Sequence, residues 1–150
     1  MSPFPDTSFL CALYREQDNS KRADRAFKQL NEPLAVTSLL LLEFRQSVRF
    51  QTGLHHRDKT RGFTTSEGKR MLEDLKSDLD SGALNTVAIE WVAVHAIAER
   101  LSNVHTMAGC HRLIDILHVA TSLHLGSEEF LTFDANQKRL AQAEGLKVLL

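Results

Sequence analysis

The sequence predicts an α/β fold in which a short, mostly parallel sheet is covered by helices on both faces. Short β-rich segments alternate with segments of helical periodicity along the chain, and such alternation is typical of parallel sheets. A chain of 150 residues has the size of one ordinary domain and should bury about 68–70% of its unfolded surface. We therefore expect residues 1–150 to form a single domain.

The elements of the N-terminal half follow from apolar spacing and from residues that begin or end helices. Asp6 or Thr7 can cap a helix that begins at Ser8. Pro33 ends a second helix, and Gly53 is expected to end a third. The predicted elements are a minimal strand at 2–5, a helix from 8, a helix from 19 or 20 to about 30, a strand at 34–36 and a helix from 37 or 38 to about 51.

A polar, basic connection leads to the C-terminal half, where strands and helices again alternate. Gly109 interrupts the helical pattern and separates two helices. The predicted elements are helices at about 65–79, 91–107, 111 or 112–124 and 135–143, and strands at 84–89, 130–132 and 147–150. In parallel sheets the ligand crevice lies outside the carboxyl ends of the strands.

Composition excludes several classes of protein. Hydrophobic content of 43% and charged content of 25% are typical of a soluble globular chain. The apolar runs are too short to span a membrane, and no secretion signal opens the chain, so a cytoplasmic location is expected. Cys11 and Cys110 lack the spacing of a metal site and are predicted to be buried thiols.

Basic residues concentrate in the middle of the chain although the formal net charge is −1. Between Arg45 and Arg70, seven basic residues stand against two acidic ones. This local excess suits a polyanion such as RNA, with Arg45 and Arg49 as candidate contacts. A solvated helix face and loop would give the same pattern, and the sequence leaves both interpretations open.

Four acidic residues occur where the local sequence favours burial: Asp6, Glu43, Asp115 and Asp134. A carboxylate among apolar side chains is costly unless a positive charge compensates it. Asp6 and Asp134 follow predicted strands, Glu43 borders an apolar helix stripe, and Asp115 lies near the first turn of a helix. Carboxylates brought together repel one another, and a hard divalent cation such as Mg²⁺ or Mn²⁺ removes that conflict. Such an ion can activate water for phosphodiester hydrolysis.

These acidic segments resemble those of the PIN-domain nucleases, and of their VapC-like members, over essentially the whole chain. The matching segments are Asp6–Leu10 (DTSFL), Glu43 in its helix, Arg112–Ala120 (RLIDILHVA) and Leu131–Asp134 (LTFD). The resemblance implies a PIN-like three-layer α/β/α sandwich. It also implies a metal-dependent endoribonuclease, the toxin of a toxin–antitoxin pair, which cleaves RNA with a Mg²⁺- or Mn²⁺-activated water.

The resemblance further implies roles for single residues and for partners. Asp6, Glu43 and Asp115 would bind the metal, and Asp134 would bind it or position water. A second group of side chains, Ser8, Thr132 and Asn136, could hydrogen-bond the carboxylates or waters. A cognate antitoxin and a homodimer would be the protein partners, with no membrane association.

The chain departs from the family pattern at its start, where Pro3 and Pro5 bracket Phe4 in what should be an inner strand. Proline cannot donate a hydrogen bond to a neighbouring strand. We therefore expect this strand to be very short or distorted.

Three other functions fit some of the same residues. His111, Asp115 and His118 share one helix face and could bind a transition metal such as Zn²⁺. A noncatalytic RNA-binding module could keep the fold without the chemistry. A phosphatase with Asp6 as nucleophile would normally carry a second acid two residues later, where this chain has Ser8.

Overall fold

The computed structural model of the protein describes residues 3–148. Its helices are α1 (Thr7–Tyr14), α2 (Ser20–Lys28), α3 (Ser38–Arg57), α4 (Thr65–Ser81), α5 (Trp91–Gly109), α6 (Leu113–His124) and α7 (Ala135–Ala143). Its strands are β1 (Phe4–Pro5), β2 (Leu34–Val36), β3 (Leu84–Thr86), β4 (Glu129–Leu131) and β5 (Lys147–Val148). None of the helices in this part of the chain is both long and apolar enough to cross a membrane.

The strands form two parallel groups, with order β1-β4-β5 in one and β2-β3 in the other. The prolines of β1 account for the gap between the groups. Successive N–H groups of a strand point to opposite edges, and the N–H of Asp6 donates to Leu131 of β4 at 3.0 Å. The N–H of residue 5 would point the other way, toward the neighbouring β2, but Pro5 has none. The expected short first strand is thus confirmed.

The helices fall into two groups that cover the strands. In one group α1 packs on α2, α3 and α4, and in the other α5, α6 and α7 pack on one another. Phe4, Phe9, Phe44 and Phe130 are fully buried between them. Burial of each such side chain stabilises the fold by roughly 1.5–3 kcal/mol. The predicted α/β/α sandwich with a short parallel sheet is confirmed.

The prediction that α3 ends near Gln51 is wrong, because the helix continues through Gly53 to Arg57. One glycine inside a helix costs only about 1 kcal/mol relative to alanine. The side of α3 that packs on α4 offsets this cost. The first residues of the expected basic connection are therefore helical, and the connection begins at Asp58.

Two other predicted boundaries also move. Strand β3 ends at Thr86 instead of Ile89, because its partner β2 ends at Val36 and only one further hydrogen bond follows, from Val87 N–H to Val36. Helix α2 ends at Lys28 instead of Leu30. The predicted end of β5 at residues 149 and 150 lies outside the described residues.

The prediction that both cysteines are buried is wrong for Cys110. This residue is exposed, and it caps the end of α5 with a left-handed backbone at φ 51°. Gly109, which was expected to break the helix, is its last residue. Cys110 follows the last residue of α5, so the apolar spacing of that helix does not predict whether Cys110 is buried.

Candidate active site

Asp6 lies at the carboxyl end of β1 and is 0% exposed. It caps α1, since its Oδ1 atom accepts a hydrogen bond from the Phe9 N–H at 3.0 Å. The Ser8 hydroxyl donates to the same oxygen at 2.6 Å. The PDTSFL sequence therefore creates this position locally, as an N-cap carboxylate at the end of a strand.

The other oxygen of Asp6 is held by distant parts of the chain. Oδ2 accepts hydrogen bonds from the Thr132 hydroxyl at 2.5 Å and from the Gln137 side-chain amide at 2.8 Å. Thr132 follows β4, and Gln137 lies in the first turn of α7. Both assigned donors to Oδ2 are neutral groups. Burial is the main cause that raises the pKa of Asp6, to about 6, and the hydrogen bonds of Ser8 and Thr132 counteract it.

Glu43 is held on the opposite side of the site by His118, whose Nε2 atom lies 2.5 Å from Oε2 of Glu43. The Thr7 hydroxyl also donates to Oε2. Burial alone would raise the pKa of Glu43, but the hydrogen bonds from His118 and Thr7 outweigh it and hold the pKa below its ordinary value. His118 is 1% exposed, and its charge also lowers the pKa of Asp6. The imidazole thus links the two acids.

Asp115 lies in the first turn of α6 and pairs with Arg112 from the same helix start. The guanidinium is bidentate, with Nε to Oδ2 at 2.8 Å and Nη2 to Oδ1 at 3.0 Å. The side chain of Asp115 is 3% exposed, whereas that of Arg112 is 70% exposed. The hydrogen bonds to Asp115 raise the pKa of Arg112 above its ordinary value, and the charges of Asp134 and Glu43 contribute. Arg112 therefore contacts one of the acids directly and interacts with two more through their charges.

Asp134 is the N-cap of α7. Its Oδ1 atom accepts hydrogen bonds from the N–H groups of Asn136 at 2.8 Å and Gln137 at 2.9 Å. Its own N–H donates to the hydroxyl of Thr132, which also holds Asp6. The side chain of Asn136 accepts a hydrogen bond from Arg139 at 2.9 Å, so the contact of Asn136 with an acid is made by its backbone.

The donor chemistry of this site fits a hard divalent cation, but the present arrangement is not closed around one. Carboxylate oxygens suit Mg²⁺ or Mn²⁺. The Oε1 atom of Gln137 adds a buried oxygen that has no hydrogen-bond partner among residues 3–148. Over the same residues, no three His, Cys, Asp or Glu side chains are arranged to hold a metal ion. Arg112 and His118 already bind two of the carboxylates, so an ion would have to displace the exposed Arg112.

The absence of an arranged group of metal ligands among residues 3–148 also bears on the zinc alternative. Asp115 binds Arg112, and Nε2 of His118 faces Glu43. The ring of His111 lies against Gly109. In the part of the chain that the structure describes, these three side chains do not form a metal-binding group.

The two arginines predicted to contact RNA lie around α3 from Glu43. A helix turns about 100° per residue, so Arg45 lies about 200° and Arg49 about 240° from Glu43. Measured the shorter way around α3, these rotations are about 160° and 120°, and the exposed side chains of Leu42 and Gln46 lie on that path. Arg49 therefore lies about a third of the way around the helix from Glu43, whereas Arg45 lies nearly opposite it.

Sequence reasoning missed Thr7, Arg112 and Gln137 as parts of the site. Arg112 carried a usable signal, because it stands three residues before Asp115 at a helix start and i, i+3 side chains meet. Thr7 and Gln137 carried none, because their partners lie 36 and 131 residues away along the chain.

Comparisons with known proteins agree with this fold. The model of the PIN domain family matches residues 4–143. Among solved structures, that of Mycobacterium tuberculosis VapC20, described as a Sarcin-Ricin loop cleaving toxin, is similar with a TM-score of 0.63 and 18% sequence identity, over 97% of this chain and 97% of that chain. At that identity the likeness concerns the fold. No curated protein matches the chain. Because the family match spans nearly the whole sequence, the chain belongs to the PIN domain family.

Proposed function

We propose that the chain is an endoribonuclease that hydrolyses RNA phosphodiester bonds with Mg²⁺ or Mn²⁺. The observation that supports it best is Asp6, a fully buried carboxylate held by neutral donors at the edge where β1 and β4 end. Such a carboxylate keeps its affinity for a cation, since no protein cation neutralises it through a direct hydrogen bond. The fold likeness to VapC20, a toxin described as cleaving the Sarcin-Ricin loop, supports RNA as the substrate class.

In this proposal Asp6, Glu43 and Asp115 hold the metal, and Asp134 binds it or positions the attacking water. The ion would lower the pKa of water and neutralise charge on the phosphoryl group. Ser8, Thr132 and Gln137 keep both oxygens of Asp6 oriented through four hydrogen bonds together with the Phe9 N–H.

His118 and Arg112 are the two basic side chains that bind acids of the site. His118 and Thr7 keep Glu43 ionised, because their hydrogen bonds favour the carboxylate form. Arg112 presents a planar fork that matches a phosphate as well as a carboxylate. On substrate binding, Arg112 can exchange the Asp115 carboxylate for a phosphate without crossing the protein interior, because its side chain is already exposed.

A second function, a noncatalytic RNA-binding PIN module, is favoured by one observation. Arg112 and His118 already neutralise two of the acids, and the residues described contain no arranged metal group. In such a module these pairs would be permanent and structural. The two functions differ in whether a divalent ion changes the protein.

The test is cleavage of a labelled single-stranded RNA by the purified protein with Mg²⁺, with Mn²⁺ and with a chelator. We expect cleavage with either ion and none with the chelator. Asp6→Asn and Asp115→Asn should both abolish it while keeping the circular dichroism spectrum. The matched control is Glu73→Gln, which removes an acid from an exposed pair with Lys69 and should cleave normally. Cleavage in chelator, or full activity of either aspartate variant, would sink the proposal.

We further propose the toxin role with a cognate antitoxin and a homodimer, in the cytoplasm. Exposed apolar side chains on α5 and α6 support a protein partner: Val92 is 78%, Met107 96% and Leu113 70% exposed. Growth arrest on expression, relieved by the gene product encoded beside it, would test the toxin role. Light scattering of the purified chain would give its oligomeric state.

We propose that Arg45 and Arg49 contact RNA at a second position on the protein, away from the acids. Neither residue forms an ion pair with another described residue. Arg45→Gln with Arg49→Gln should then weaken RNA binding and flatten its salt dependence. An unchanged salt dependence would assign both to a solvated helix face.

A further inference from the structure

Two adjoining cavities border α2 and share one residue, Arg22. The larger, of about 380 Å³, lies between α2 and β4. The smaller, of about 200 Å³, contains Thr132, Phe133 and Asp134 and so opens at the edge that carries the acids. Arg22 lines both, so the two cavities adjoin at its side chain and together make a depression that extends from the acidic edge along α2. We call it the α2 groove.

The side chains that α2 offers to this groove lie on one helix face. They are Arg22, Arg25, Ala26 and Gln29, spaced i, i+3, i+4 and i+7, which is the pattern of a single face. Arg22 and Arg25 are both exposed. Two guanidinium groups one turn apart suit successive groups of a polyanion.

An aromatic ring connects the groove with the acids. The guanidinium carbon of Arg22 lies 5.5 Å from the ring centroid of Phe133. The ring of Phe133 also stacks on buried Phe9, with centroids 6.2 Å apart and an interplanar angle of 10°. The N–H of Phe133 donates to the Ser8 hydroxyl, which holds Asp6. Phe133 therefore supports the Arg22 guanidinium at a position one residue from Asp134 and one hydrogen bond from the group that orients Asp6.

We propose that the α2 groove binds the nucleotide next to the bond that is cleaved. Arg22 and Arg25 bind its phosphate and the adjacent one, and its base lies in the larger cavity between α2 and β4. Gln29 and Glu129, which line that cavity, offer hydrogen-bonding groups to the base edge. This inference rests on the proposed ribonuclease function and deepens it, because it names the surface that would select the RNA sequence.

The observations favour RNA over a protein segment as the occupant. The cavity volume is in the range of pockets that hold one small-molecule group. Arginine contacts to successive phosphates are a usual part of the binding of single-stranded nucleic acid. The groove also ends at the acids, where the proposed scissile phosphate must lie.

The experiment measures binding of a fluorescein-labelled single-stranded RNA by anisotropy, in the Asp6→Asn background so that the RNA stays intact. The test variant adds Arg22→Gln and Arg25→Gln. The matched control adds Lys69→Gln and Lys76→Gln, which removes the same charge from two exposed side chains of α4. Thermal unfolding checks that each variant folds, and Arg25→Gln alone replaces the double variant if it does not.

We expect the arginine variant to raise Kd about tenfold and to reduce the slope of log Kd against log salt by about 1.4, since each phosphate contact on a single strand contributes about 0.7. The lysine control should raise Kd by less than the arginine variant does. Equal effects in both variants, or an unchanged Kd in the arginine variant, would overturn the α2 groove as an RNA site. If the Asp6→Asn parent itself binds no RNA, the result contradicts the proposed ribonuclease function and not only the α2 groove.

A second readout separates sequence selection from general attraction. With Asp6 intact, Glu129→Gln should alter the distribution of cleavage sites in a mixed-sequence RNA, because it changes the group that meets the base edge. An identical distribution in wild type and Glu129→Gln would remove the larger cavity from the proposal.

Discussion

Asp6 and Asp115 are both buried carboxylates of the same site, at 0% and 2% exposure, but the protein holds them in opposite ways. Asp6 receives neutral donors from α1, from the end of β4 and from α7. Asp115 receives one exposed guanidinium from the start of its own helix. The first arrangement orients an unneutralised carboxylate, and the second neutralises a carboxylate with a replaceable cation.

The difference assigns the two acids distinct properties. Asp6 depends on three elements that meet only in the folded chain, and its pKa of about 6 reflects the burial that these elements impose. Asp115 depends on Arg112, three residues away, so its partner is present as soon as the helix start forms. A divalent ion bound at this site would therefore offset the cost of burying the Asp6 carboxylate. At Asp115 it would displace the guanidinium of Arg112.

The largest expected effect is on catalysis, where the two acids should behave alike. Asp6→Asn and Asp115→Asn should each lower RNA cleavage by more than about 100-fold, the upper cost of losing a partner outside the metal shell. Single-turnover cleavage with saturating Mn²⁺ measures this. A residual rate above one tenth of wild type in either variant would show that the two acids are not equivalent ligands.

The next effect separates the acids by pH. Asp6 keeps its proton up to pH about 6 in the folded chain but loses it near 3.8 when unfolded. Between these values the folded state binds more protons, so the free energy of unfolding falls as pH rises, by about 3 kcal/mol from this group. The stabilising contribution is fully present below pH 3.8. Urea unfolding with chelator at pH 4 to 7 should show a shallower fall for Asp6→Asn than for wild type.

Glu43 has the opposite sign, because its pKa is lowered in the folded chain. Its contribution is present above its ordinary value and is lost as pH falls through the folded value. Relative to wild type, Glu43→Gln should therefore change the slope of stability against pH in the opposite direction to Asp6→Asn. Parallel profiles would contradict the assignment of burial as the dominant influence on Asp6.

A smaller effect tests the replaceable cation. Arg112→Gln leaves Asp115 buried without its partner and should destabilise the metal-free protein by about 1–3 kcal/mol, below the cost of breaking a fully buried pair because Arg112 is exposed. Added Mn²⁺ should raise the Tm of Arg112→Gln by more than that of wild type, since the ion no longer competes with the guanidinium. Arg100→Gln, which breaks the ion pair with Glu144 away from the acids, should respond to Mn²⁺ like wild type. An equal Tm increase in all three proteins would make the Arg112 pair purely structural.

The smallest effect concerns the neutral donors of Asp6. Ser8→Ala removes the strongest of the hydrogen bonds that lower its pKa, so the pKa should rise above about 6, and stability should fall by about 1 kcal/mol. Carboxyl chemical shifts in carbon-13 spectra, followed through a pH titration, measure it. A pKa that moves down in Ser8→Ala would exclude the serine hydroxyl as a donor to the ionised form.

Much of the fold was predictable from local patterns. The order of helices and strands, the cap at Asp6, the first-turn position of Asp115 and the buried stripe of Leu40, Phe44 and Val48 all follow from spacing within a few residues. The family resemblance and the sandwich were confirmed on the same segments. The single-domain expectation and the roles of the acids stay predictions.

The errors occurred where local and tertiary preferences compete. Gly53 is a stop signal in isolation, but α3 passes through it because the helix packs on α4. Ile89 has strand character, but β2 offers no partner that far along. In both cases a weak local preference was overridden by the packing or pairing of a neighbouring element.

By itself the sequence determined which acids stand after strands and at helix starts. It also determined the Arg112–Asp115 pair, because contacts over three or four residues are dictated by helix geometry. Only the tertiary structure decided that Thr132 and Gln137 hold Asp6, that His118 holds Glu43, and that Arg22 lies over Phe133. Those contacts join segments far apart along the chain. Their partners depend on how β1 pairs with β4 and how α7 and α2 pack beside them, and no local spacing encodes that choice.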